Sequence, residues 1–218
     1  MPPSQPNSPS GQRPLDALTL PAAAREQLLP RLEVSILEFC AFKLPVIVPV
    51  VRACTRNIAD FFSRSPASVT DYATLRNIPA PRKDTIDALR AAAPSMLRAG
   101  HESLVCAHLT QTVPRTVPIY MLDFWDEVDG LRRVQQVWQR AEERLRGRRR
   151  LYEKEKGGSS NAVIQQTYDM LGITPWYGLL RGGREPEPIV MLAGYLLPNT
   201  WLGTAHENQM MELLQSDL

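Results

Sequence analysis

The stretch that decides the fold runs from Tyr120 to Tyr152, YMLDFWDEVDGLRRVQQVWQRAEERLRGRRRLY. Met121, Phe124, Val128, Leu131, Val134, Trp138, Ala141 and Leu145 recur at steps of 3, 4, 3, 3, 4, 3 and 4. That spacing lays one apolar stripe along a single long helix. Asp123, Asp126, Glu127 and Asp129 stand at its start and arginines at its end, the polarity that suits a helix dipole. A helix this long cannot bury its stripe alone. It is expected to pack on the preceding helices, on a partner protein or on a second copy of the chain.

Working outward, "MPPSQPNSPSGQRP" holds five prolines and one apolar side chain in fourteen residues, which predicts a disordered N-terminus. In "TLPAAAREQLL" a capping Thr19 and a first-turn Pro21 predict a short helix that ends by Pro30. Val51, Cys54, Ile58 and Phe61 predict a second helix. "APRKDTIDALRAAAPSMLRAG" predicts a third, kinked or split at Pro94 and stopped by Gly100. "SLVCAHL" is the best strand of this half. Beyond the long helix, "KGGSSN" (156–161) reads as a flexible break. "NAVIQQTYDMLG" reads as a helix capped by Ser160 or Asn161 and stopped at Gly172. "ITPWYGLLRGGREPEP" reads as a turn-rich connector, and "IVMLAGYL" as a strand or a helical turn.

The resulting fold class is mainly α, with at most a few short strands. The expected divisions are a Pro/Ser-rich tail (1–18), a helical region ending in the long helix (19–156), a connector with a short helix (157–197) and a C-terminal segment (198–218).

The chain has 218 residues, 44% of them hydrophobic, and a net charge of +2, so no overall field draws it to nucleic acid or membrane. Its cysteines, Cys40, Cys54 and Cys106, are odd in number and lack motif spacing, which points to a reducing, intracellular setting. The apolar run 36–51 carries Glu38 and Lys43 and is broken by Pro45 and Pro49, so no membrane span is expected.

The histidines are His101, His108 and His206. On a strand Cys106 and His108 would share one face, yet no orienting group accompanies them. They read as a buried cysteine beside a boundary histidine rather than a hydrolase pair. No CxxC, HxxxH or HExxH spacing offers a metal site, and no P-loop or GxGxxG offers a nucleotide cofactor site. No catalytic residue, metal or cofactor is expected. From Arg140 to Lys156 eight Lys/Arg face four Glu, a local net of +4. This is read as a solvated helix end matched to its dipole. The alternative is a nuclear-import or nucleic-acid patch of Arg144, Arg146, Arg148, Arg149 and Arg150.

The C-terminal "EPIVMLAGYLLPNTWLGTAHENQMMELL" resembles the entrance to the catalytic domain of the ubiquitin-like-protein (SUMO) deconjugating cysteine proteases. "FWDEVDGLRRVQQVWQRAEERLR" and "YDMLGITPWYGLLRG" are similar to regions ahead of that domain in family members carried by mobile elements. The resemblance implies that 198–218 is the incomplete start of an α+β protease domain. It implies that Trp201 and Leu202 belong to the tunnel gripping a ubiquitin-like modifier, and that the family's His, Asp and Cys lie beyond Leu218. Thr204 stands where the family usually has Asp. On this reading the chain is a non-catalytic front region acting through protein interaction. The alternative is a nuclear, nucleic-acid-associated accessory protein using the Arg-rich helix end.

Overall fold

The computed structural model describes residues 16–48, 57–106, 115–154, 158–180 and 186–197. They are mainly α-helical with a few short strands, and they belong to two compact units, 1–29 with 44–130 and 30–43 with 131–218. The segment 198–218 and the Pro-rich residues 1–15 lie outside the described residues.

In the first unit α1 (Ala22–Leu28) packs on α3 (Tyr72–Asn77), and α4 (Lys83–Arg98) on a 3-10 turn (Ile58–Phe61). Strands β1 (Phe62–Ser63), β2 (Ser103–Val105) and β3 (Thr116–Pro118) form an antiparallel sheet in that order. Phe62 pairs with Leu104, and Leu104 with Val117. The core of the unit contains Leu28, Leu75, Ile86, Leu89, Leu104, Val117, Met121, Phe124 and Val128.

The long helix, α5, runs from Met121 to Lys154. Its acidic start is used within the first unit. Asp123 accepts the Leu20 amide at 2.8 Å and faces Arg90 at 3.4 Å. Asp126 takes Arg90 as well, with Lys83 at 3.1 Å, and Glu127 takes Arg25. Burial nonetheless raises the Glu127 carboxyl above its ordinary value, against the pull of Arg25.

The second unit contains α2 (Ile36–Ala41), residues 131–154 of α5, and α6 (Gly158–Ile173). A hairpin follows, β4 (Leu179–Leu180) with β5 (Glu187–Pro188), then a 3-10 turn (Ile189–Leu192) and α7 (Ala193–Leu196). A capping box starts α2: the Ser35 hydroxyl accepts the Glu38 amide, and the Glu38 carboxylate accepts the Ser35 amide. The core joins Ile36, Phe39, Trp138, Ala141, Leu145, Leu171, Trp176 and Ala193. The stripe on this part of α5 is therefore covered by the chain's own α2, α6 and connector.

Several local expectations are corrected. Ile58–Phe61 is a 3-10 turn, capped by Asn57, rather than part of a helix, because Phe62 leaves it to pair with Leu104; Val51 and Cys54 lie outside the described residues. Of the two outcomes expected at Pro94, the split is absent: one helix runs through it, held by the buried face of Ile86, Leu89 and Ala93. Pro21, not Thr19, takes the cap position of α1, with no side-chain cap bond. α6 starts at Gly158, so Ser160 and Asn161 lie inside the helix rather than capping it and 158–161 is not a break; Gly172 does not stop it either, since it continues to Ile173. The stop comes from the next residues, where Thr174 gives its carbonyl to the Ile36 amide at 2.9 Å and Pro175 bridges Ser35. Gly100, with φ +85°, does close α4 as expected.

Candidate interaction surfaces

Trp201 and Leu202, together with His108 and His206, fall outside the described residues. Cys106 is buried just after β2. His101 sets Nδ1 3.1 Å from the Met96 carbonyl and meets Phe62 edge-on, a packed position at a helix end. Cys40 is half-buried, and its thiol is pushed up to about 11 by burial and then by the nearby Glu142 carboxylate. A thiol so shifted stays protonated at neutral pH and is a poor nucleophile. Among the described residues no cluster of His, Cys, Asp or Glu is arranged to hold a metal ion. None of the helices there is long and apolar enough to cross a membrane.

The five arginines of the candidate patch separate into two sets. Arg146 makes a bidentate contact with Glu142, at 2.7 Å to each oxygen. Arg149 holds Glu153 at 3.1 Å and lies 6.0 Å from the centre of the Tyr168 ring. Arg144, Arg148 and Arg150 make no ion pair with any described residue. Arg144 and Arg148, one helical turn apart, line a pocket of about 400 Å³ with Leu145, Val163, Ile164, Thr167, Tyr195 and Leu196.

A larger groove, about 870 Å³, is built around the β4–β5 hairpin. Trp176 is its anchor. Its ring stacks on Phe39 at 4.1 Å, its Nε1–H donates to the Arg31 carbonyl at 2.8 Å, and its amide donates to Val34 at 3.1 Å. With Trp176 held, Tyr177 turns outward, its ring 5.5 Å from that of Trp176. Gly178, with φ +144°, then leads the chain into β4 at Leu179. Val134, Pro186, Pro188, Ile189 and Val190 complete the walls. Tyr177 is 59% exposed and Leu179 57%, large apolar groups held at the groove with nothing described above them.

Reading the sequence as a connector missed this groove. The two aromatics were visible, but no local pattern assigns Trp176 to the core and Tyr177 to the surface. The Arg144–Arg148 pocket was also missed, because its other walls come from α6 and α7. Comparison with known protein families, with curated proteins and with solved structures finds no match to this chain.

Proposed function

We propose that this chain is a protein-binding region of the kind that stands ahead of the catalytic domain in ubiquitin-like-modifier proteases. In this reading the hairpin groove takes an extended apolar segment of a partner protein. The observation that carries the reading is the pair Tyr177 and Leu179, exposed beside an apolar groove on a rigidly anchored base. Exposed apolar surface of this kind costs solubility unless a partner covers it. An aromatic- and proline-lined groove suits extended chain, which offers side chains at a regular pitch and a backbone already open. The resemblance puts the ubiquitin-like modifiers first among the partners to test.

The test is an amide-resolved NMR titration with SUMO and, separately, with ubiquitin. The expected result is saturable movement of the Tyr177, Leu179 and Val190 resonances with one of the two, abolished by Leu179→Asp. No movement with either at millimolar concentration overturns modifier binding, and binding that survives Leu179→Asp overturns the groove as its site.

A second reading rests on Arg146, Arg148, Arg149 and Arg150 being exposed together on the last turns of α5. A positive helix end of this kind supports binding to nucleic-acid phosphates. It predicts affinity for a DNA or RNA oligonucleotide that falls steeply with salt and is lost when all four become Gln. Absence of binding at low salt excludes it.

A further inference from the structure

We infer that the Arg144–Arg148 pocket of the second unit binds a small amphipathic anion, a carboxylate or phosphate head carried on an aliphatic tail. The inference is independent of the hairpin groove. The two guanidinium groups lie on one face of α5, one turn apart, and share the pocket's lining. Their sequence neighbours Arg146 and Arg149 are occupied by Glu142 and Glu153, whereas Arg144 and Arg148 have no carboxylate partner among the described residues. Two planar forks with ten N–H donors between them match the oxygens of a carboxylate or phosphate.

The rest of the lining is largely apolar. Leu145 and Ile164 are buried, and Val163 and Leu196 complete the aliphatic lining. Thr167 already donates its hydroxyl proton to the Val163 carbonyl at 2.9 Å, so it offers no donor to the ligand. Of the lining residues, only the two arginines offer a positive charge to the head. The volume, about 400 Å³, lies at the lower end for small-molecule sites and suits a chain of a few carbons. A bare inorganic anion would leave the aliphatic half wet, and a neutral alkyl chain would leave the guanidinium pair unused. Of the ring systems that could stack a base, Tyr195 alone lines the pocket, which argues against a nucleotide.

Isothermal titration of the full chain with octanoate, octyl phosphate, 1-octanol and inorganic phosphate tests the inference. Saturable one-to-one binding of octanoate or octyl phosphate is expected, and the tighter of the two identifies the head. Octanol and inorganic phosphate should each bind at least about tenfold more weakly, since each lacks half of the recognition. The double variant R144Q/R148Q should lose about tenfold or more in affinity. R146Q/R149Q, on the same exposed helix end, should bind as the parent does. Val163→Asp, at an exposed position on the wall, should weaken binding without disturbing the buried floor. Failure of both amphiphiles to bind saturably, equal binding by inorganic phosphate, or undiminished affinity in R144Q/R148Q each overturns the inference.

Discussion

Gln135 donates its side-chain amide to the carbonyl oxygen of Phe39 at 2.7 Å. The same nitrogen reaches the carbonyl of Phe42 at 2.8 Å. Phe39 lies in the last turn of α2, and Phe42 is the residue just past its end. The end of a helix leaves carbonyls that the helix cannot fully satisfy. The Phe39 carbonyl takes the Phe42 amide at 3.2 Å, and one buried side chain on α5 adds a donor to it and to the Phe42 carbonyl. Gln135→Leu keeps the volume and removes both donors, so it should cost about 1–3 kcal/mol. Urea unfolding followed by circular dichroism measures this; a midpoint equal to the parent's would show the contact to be energetically idle.

Trp176 combines a stacked ring with a buried donor, so its substitutions should be graded. Trp176→Phe retains a ring against Phe39 but forfeits the bond to Arg31, a loss of about 1 kcal/mol. Trp176→Ala also leaves a cavity and should cost about 3–5 kcal/mol. Thermal unfolding of the two variants should give that order, and equal costs would mean the ring stack contributes nothing.

Gly178→Ala tests the backbone beneath the groove. Its φ of +144° is a region that L side chains rarely adopt, and an added Cβ would stand 3.1 Å from Ile189 Cδ1. The strain should be about 1–3 kcal/mol. Because Ile189 lines the groove, the variant should also lose whatever ligand the groove binds, while Tyr177→Ser loses the ligand with stability nearly unchanged. A stable Gly178→Ala protein with parental binding would contradict the need for glycine at this φ.

Cys40 gives the chain a pH dependence with a definite sign. The folded-state thiol is raised from 9.0 to about 11, by burial and then Glu142. Between those values the unfolded chain has released the proton and the folded chain holds it, so stability falls as pH rises through that window. Below pH 9 the contribution is fully present. Cys40→Ser should flatten this alkaline loss, and thiol labelling at pH 8 should be slower at Cys40 than in the unfolded protein. Fast labelling of folded Cys40 would reject the shift.

Asp123 and Arg90 should differ in cost although they face one another. Arg90→Ala removes two partly exposed ion pairs, to Asp123 and to Asp126, each worth up to about 1 kcal/mol and screened by salt. Asp123→Ala also strips the acceptor from the part-buried Leu20 amide, which should cost about 1–3 kcal/mol and persist in high salt. Unfolding at low and at 1 M salt separates the two.

The sequence by itself determined the helical elements whose causes are local. The stripe from Met121 to Leu145 produced α5, good helix formers produced α4, and Gly100 ended it at a positive φ. It also separated the charges along α5, since that needs only the order of residues. Only the tertiary structure decided what those elements meet. From Leu131 to Leu145 the stripe is covered by Phe39, Leu171 and Trp176, so the chain itself supplies the cover that a helix read in isolation would seek elsewhere. Residues 34–36 pair with 174–176, and Trp176 reaches Arg31 across 145 positions. That pairing ends α6, buries Trp176 and turns Tyr177 outward. Periodicity reports which face of a helix is apolar, but not the distant backbone that will satisfy an amide or carry a ring. The groove and the pocket both have walls from segments far apart in the chain, so their residues come together only after the long-range bonds form.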